Sequence, residues 1–285
     1  MSGLSNVKAM RVFLAGATGV IGRRVVPLLI ADGHQVTAMT RRSTNTVRGA
    51  DIVIADVYDR AAVTAAVREA EPDIVMHQLT DLSAGDRAAN SAVRETGTRN
   101  LVDAALAAGV TRIVAQSIAW AYEGGDEPAA ESTPLDLDAD PARLTNVRGV
   151  AALERIVREV PESVVLRYGM FYGPDTWYAR GGLLADHPPA ANADITSFVH
   201  VDDAALAAVA ALKWPSGAVN VCDDEPAPAH DWVPEFCRAV EVPAPQRIDG
   251  LRQAWARGAD NHYAREQLGW TPRYPSWRDG FHHVG

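Results

Sequence analysis

Residues 15–24 read AGATGVIGRR. Three glycines in that stretch, Gly16, Gly19 and Gly22, follow the apolar run MRVFLA (10–15) and open a segment of helical period at 20–32. A strand, a glycine turn and a helix in that order make an anion cradle. The first glycine permits a tight turn, the second lets backbone approach a pyrophosphate, and the third lets helix and strand pack closely. The amino end of such a helix offers unpaired N–H groups and a partial positive charge. A bound dinucleotide is the reading this favours over a purely structural strand-to-helix turn.

Outward from the turn, β-branched apolar runs alternate with alanine-rich helical segments. The runs are QVTAMT (35–40), DIVIAD (51–56), DIVMHQ (73–78), RIVAQS (112–117) and SVVLRY (163–168), with helices over 60–70, 86–108 and 142–159 between them. Continuous apolar strands separated by helices predict a parallel sheet covered on both faces, a doubly wound α/β fold. After Gly169 the pattern loosens into a Pro- and Gly-rich loop (173–196), the short strand FVHV, a helix from Asp202 and the strand AVNVCD. Helices follow near 230–240, 250–257 and 261–268. The division expected is a dinucleotide-binding domain over 9–170 and a small carboxy-terminal substrate lobe over 171–285, with some strands returning to the main sheet.

Composition narrows the partners. At 285 residues and 47% hydrophobic the chain can bury a full core. A formal net charge of −9 without a basic patch argues against nucleic acid or an anionic membrane surface. No apolar stretch approaches a membrane span and residues 1–9 lack an apolar leader segment, so a cytoplasmic protein is expected. Cys222 and Cys237 lack metal or redox spacing, and no metal site is expected.

The spacing GATGVIG resembles the extended branch of the short-chain dehydrogenase/reductase superfamily, the NAD-dependent epimerase/dehydratase-like enzymes with a Rossmann sheet. Further matches run in order: Asp56-Val57, VMHQLT (75–80), GTRNLVDAALAAGV (97–110), LRYGMFYGP (166–174), FVHVDDAA (198–205) and QLGWTPRYPSWRDGF (267–281). The resemblance sets the cofactor against Gly16, Thr18, Gly19, Val20, Ile21 and Gly22. It adds Asp56 and Val57 at the adenine, then Gln78, Leu79, Thr80, Tyr168 and Met170 farther along. Strand two ends at Thr40-Arg41-Arg42, and no acid lies between Asp32 and Asp51 to accept from a ribose 2′-OH. Arg41 and Arg42 instead suit a 2′-phosphate, so NADP is expected, with NAD as the alternative.

The chemistry of that family rests on a Tyr-x-x-x-Lys pair, the lysine lowering the phenol's pKa, and on a Ser or Thr after strand five. This chain lacks the pair: its only lysines are Lys8 and Lys213, and no tyrosine has a lysine four residues on. Matching the fifth helix through Glu154 puts Asn146 at the tyrosine position and Val150 at the lysine. Matching strand five through Tyr122 puts Ile118 at the Ser/Thr position, with Ser117 one residue short. Candidate catalytic groups are therefore Tyr122, Asn146, Ser117, Asp81 and Tyr168, with Tyr172 and His200 nearby and Trp120 and Trp177 as pocket walls. His77 reads as a core histidine, and His200 as a tie to the next helix, with Asp202 or Asp203 as its N-cap.

Residues 179–196 offer Arg180 and no lysine, which disfavours a nucleotide-sugar diphosphate and points to a small carbonyl- or hydroxyl-bearing metabolite. Three functions stay open: a reductase, epimerase or dehydratase with a rebuilt relay; a non-redox isomerase, cyclase or lyase; and a dinucleotide-binding sensor. A homodimer through the fourth and fifth helices is compatible with the pattern.

Overall fold

The computed structural model describes residues 9–42, 47–81 and 87–283. The first half alternates as the sequence predicts: β1 (Arg11–Ala15), α1 (Gly22–Ala31), β2 (Gln35–Thr40), β3 (Asp51–Ile54), α2 (Arg60–Ala70) and β4 (Ile74–His77). Then come α3 (Arg87–Ala92), a π turn (Val93–Gly97), α4 (Thr98–Ala107), β5 (Arg112–Ile118), α5 (Pro141–Val157) and β6 (Glu162–Tyr168). Local signals set the helix ends. Asp59 caps α2 by accepting from Ala62 N–H at 3.0 Å, and Asp140 caps α5 just before Pro141.

The second half holds β7 (Met170–Tyr172), α6 (Leu183–Asp186), β8 (Ile195–Thr196), β9 (Phe198–His200), α7 (Val201–Ala210), β10 (Gly217–Val221), β11 (Ala227–Pro228), α8 (Ala229–Val240) and α9 (Trp277–Gly280). The main sheet has seven strands in the order β10-β6-β5-β4-β1-β2-β3, all pairs parallel. Strand β1 shows why it sits at the centre. Val12 and Leu14 pack on the face covered by α1 and α7, while Phe13 packs on the face covered by α2, α4 and α5. A strand apolar on both faces belongs inside a two-sided sandwich. A third, aromatic core built around Tyr172, Phe198, Trp232, Phe236, Trp277 and Phe281 organises the later elements.

Three expectations change. The segment expected as a helix at 250–257 is irregular chain, held by single bridges of Arg257 to Ile195 and Ala259 to Ala129. Pairing with distant strands and loops wins there over the local alanine bias. The helix expected over 86–108 is interrupted by the π turn. The N-cap of α7 is His200 itself, whose Nδ1 accepts from Asp202 N–H at 3.2 Å. Asp203 instead accepts from the backbone of Arg273 and Tyr274, tying the carboxy-terminal segment to α7. Among the described residues no helix is long and apolar enough to cross a membrane.

Candidate dinucleotide and substrate cleft

The cleft opens where the sheet order reverses. Strands β1 and β4 are neighbours, with Ala15 opposite His77, and the chain leaves them to opposite sides of the sheet. Loops splay apart at such a switch point and leave a crevice. A Cβ added to Gly16, which holds φ +96°, would lie 2.4 Å from the Gln78 carbonyl oxygen. At Gly22 it would lie 2.1 Å from the Gly16 oxygen. Side chains are thus excluded at both positions by backbone, and α1 begins without a side-chain cap. The N–H groups of Gly19, Arg23 and Arg24 bond to carbonyls of the turn itself, which fixes its shape, and a dinucleotide pyrophosphate fits the side-chain-free cradle at the amino end of α1.

A cavity of about 410 Å³ lies against this turn. Gly16, Thr18 and Gly19 line it from the turn, and Arg41 and Arg42 from the end of β2. Val57 and Tyr58 close it beyond β3; Gln78, Leu79, Thr80 and Asp81 do so beyond β4. Met39, Thr40, Ala55 and Val93 also line it, and neither these four nor Tyr58 was anticipated. Tyr58 was the most legible of these, since it directly follows the Asp56-Val57 pair. The other expected cofactor contacts stand elsewhere: Val20, Ile21 and Gly22 at the opening of α1, and Met170 in β7 beside the aromatic core. Asp56 is exposed and accepts from Tyr58 N–H.

Expected catalytic residues fall into two groups. Ser117 and Tyr122 belong to a buried polar chain. Ser117 Oγ donates to Glu154 Oε1 at 2.9 Å, and Arg167 grips both Glu154 oxygens at 2.8 and 2.7 Å. Arg167 also donates to the Tyr122 hydroxyl at 3.0 Å, and that hydroxyl donates to Asn220 Oδ1. Tyr122 is 1% exposed, and burial pushes its phenol well above the ordinary tyrosine range. Tyr168 is equally enclosed, donating to the Ala204 carbonyl at 3.3 Å, its phenol likewise raised by burial.

Asp81 and Asn146 form the second group. Asp81 lines the cavity, with its backbone N–H donating to Asn90 Oδ1. Asn146 is half-buried on α5, and four residues on Val150 packs among Ala121 and Val147. Neither a phenol nor an ammonium stands at these two positions of α5.

His77, at the end of β4, is fully enclosed. Its Nδ1 accepts from Leu79 N–H at 3.3 Å, which leaves the proton on Nε2 to donate to Thr98 Oγ1 at 2.8 Å. Burial, aided by the nearby Arg94 charge, lowers its pKa to about 4. Trp120 is half-buried and Trp177 is 36% exposed. Both cysteines are buried and free.

Comparison with known proteins follows the same lines. A family model described as NAD(P)H-binding matches residues 16–146. A 3-diazoavenalumate denitrifying reductase from a Streptomyces species is 45% identical over 300 residues, covering 95% of this chain and 99% of that protein. A UDP-glucose 4-epimerase from Mycolicibacterium smegmatis is 28% identical, covering 93% and 94%. Among solved structures, Bordetella bronchiseptica WbmG in complex with NAD and UDP superposes with a TM-score of 0.77 at 20% identity, covering 98% of this chain and 93% of that one. The Thermus thermophilus UDP-glucose 4-epimerase in complex with NAD gives 0.77 at 23%, covering 96% and 97%. With a dinucleotide cradle at its switch point and a near full-length relative among the reductases, the chain belongs to the extended short-chain dehydrogenase/reductase family, the NAD-dependent epimerase/dehydratase-like enzymes.

Proposed function

We propose that this protein is an NADP-dependent reductase for a small aromatic acid carrying a diazo group, an electrophile that is reduced without a proton from the protein. The observation that carries the reading is the pair Asn146 and Val150, an amide and an apolar side chain where the family resemblance sets its phenol and ammonium. The hydroxyls of Ser117 and Tyr122 are tied into the Glu154–Arg167 network and supply no obvious substitute. Carbonyl reduction needs a proton on oxygen, and losing a positioned acid forfeits roughly 10²–10⁴ in rate. Loss of nitrogen needs none. The nearly full-length relative named as a denitrifying reductase of a diazo acid supports the same chemistry.

When bound, the dinucleotide supplies a hydride, and an arenediazonium that gains one becomes the arene as its C–N bond breaks and N₂ leaves. The chain's own groups position the partners. Gly16, Gly19 and the uncapped start of α1 hold the diphosphate. Arg41 and Arg42, both exposed and on the cavity wall, suit a 2′-phosphate and favour NADP over NAD. Asn146 keeps a hydrogen-bond donor where the family's phenol stands, and Asp81 puts a carboxyl group on the cavity wall. A nucleotide-sugar substrate fits poorly, because Arg180, the sole arginine of 179–196, is engaged by Glu241 at 2.9 Å.

The test is a substrate comparison on the purified full chain with NADPH. A hydroxyaryl diazo acid is expected to oxidise one NADPH for each N₂ released, while matched aldehydes and ketones leave NADPH untouched. Reduction of the carbonyl compounds alone, or conversion of the diazo acid without cofactor oxidation, contradicts the reading.

A further inference from the structure

Arg94 follows Val93, which lines the cofactor cavity, inside the π turn between α3 and α4. It is 6% exposed, and its Nη1 is shut off from solvent with no hydrogen-bond partner. Among the described residues no carboxylate pairs with it, unlike Arg143 and Arg167, the other arginines buried to that degree, which meet Asp136 and Glu154. Burial alone lowers its guanidinium pKa to about 10, leaving the charge in place at neutral pH.

Its neighbours locate the charge. A Cβ added to Gly149 on α5 would meet Arg94 Cδ at 3.4 Å and Ser91 Oγ at 2.7 Å, so the glycine is what lets the turn and the arginine stem close on α5. The charge also reaches His77 at the end of β4, where it opposes protonation. The side chain is thus lodged between the carboxy end of β4 and α5, against Gly149, one residue before position 150. That position carries the lysine in the family the chain resembles, and Val150 here.

A buried guanidinium with an unsatisfied donor, and with no carboxylate on it among the described residues, is costly, and a ligand that completes it offsets that cost. Neutral hydroxyls, such as those of a ribose, can bond a guanidinium without cancelling its charge. An anionic oxygen does both, and the planar fork of arginine matches a carboxylate bidentately. We propose that Arg94 is the substrate-anion receptor of this cleft, taking a carboxylate of the small acid from the π turn packed against α5, the helix that carries no cation at the family's lysine position. The proposal rests on the reductase reading for the identity of that acid, and on the unpaired side chain for the site.

The experiment uses the full chain loaded with NADP⁺, with NADP⁺ binding itself titrated first by calorimetry. The probes are 4-hydroxycinnamate and its methyl ester, added to wild type, R94M and R94K. Wild type is expected to bind the acid roughly tenfold or more tightly than the ester, as for a charge-assisted contact. R94M should lose that preference and R94K keep part of it, with NADP⁺ affinity unchanged in both. Because R94M removes an unpaired buried charge, its melting temperature without ligand should equal or exceed that of wild type; a structural role would lower it. The proposal is overturned if wild type binds acid and ester alike or neither. It also falls if R94M retains the preference, or if R94M loses NADP⁺ affinity instead. Should R94M fail to fold, an R94K protein with no preference for the acid overturns it as well. Failure of wild type to bind NADP⁺ would instead sink the reductase reading, and the opening titration reads that separately.

Discussion

At the scale of single residues, Gly16 and the two arginines beyond β2 carry the cofactor argument. Gly16 combines φ +96° with a neighbouring backbone oxygen where a Cβ would go. A side chain there costs about 1–2 kcal/mol in backbone strain before the clash is counted. G16A is therefore expected to lower the melting temperature and to abolish NADPH binding in a calorimetric titration. On the proposed NADP reading, Arg41 and Arg42 set selectivity. Removing both should weaken NADPH by about 10- to 100-fold, given about 1.5–3 kcal/mol for a hydrogen bond to a charged group, and leave NADH nearly unchanged. Equal losses for the two nucleotides would show that the arginines do not read the 2′ position. The glycine turn was legible because its chemistry is local and its spacing is fixed. The commitments of the hydroxyls were not. Ser117 meets Glu154 37 residues away and Tyr122 meets Asn220 98 residues away, separations that only the folded sheet brings to contact distance.

At the scale of elements, strand ends and helix pairs set how the site behaves. Glu154 on α5 holds Arg167 on β6 and Ser117 on β5, so one carboxylate joins three elements. Truncating it leaves a buried arginine unpaired, and E154A should lose about 3–5 kcal/mol in denaturant unfolding. Y122F is the sharper probe of chemistry. It should destabilise modestly, through the orphaned Asn220 oxygen, while turnover of the diazo acid stays within a few-fold of wild type; a loss near 10²–10⁴ would identify the phenol as the acid. His77 links β4 to the start of α4 through Thr98 and carries a pH signature. Its folded pKa is lowered to about 4, against about 6.5 unfolded, so the stability it contributes is whole above pH about 6.5. That contribution is lost as pH falls toward 4, in all about 3 kcal/mol. H77N should flatten this part of the stability profile, and an unchanged slope would place the titration on another group. The π turn had no sequence signature, since the helical period of 86–108 runs through it. The expected helix at 250–257 failed for the opposite reason, its carbonyls at Ala254 and Ala256 being claimed by the N–H groups of Gly125 and Ile195.

At the scale of the whole molecule, strand order and the loss of one residue pair together define what the protein can do. The order β10-β6-β5-β4-β1-β2-β3 puts the cradle, the β2 arginines and the ends of β4 and β5 on one rim. The doubly wound parallel class followed from alternating apolar runs, because two-sided burial favours it; the strand order is set by long-range pairing that those runs do not encode. The sequence also showed directly that no tyrosine is followed by a lysine at four residues. What it could not show is that Arg94 is buried against Gly149 with Nη1 unsatisfied and no carboxylate partner among the described residues, since that is a property of the packed elements. On the proposed reading, a cleft with the cofactor cradle and without a Tyr-x-x-x-Lys pair suits hydride chemistry without proton transfer. The most direct test is a single-turnover comparison of NADPH with NADPH deuterated at the transferred position, run in H₂O and in D₂O with a hydroxyaryl diazo acid. The account predicts slowing with the deuterated cofactor and none from the solvent. A solvent effect with no cofactor effect would contradict it.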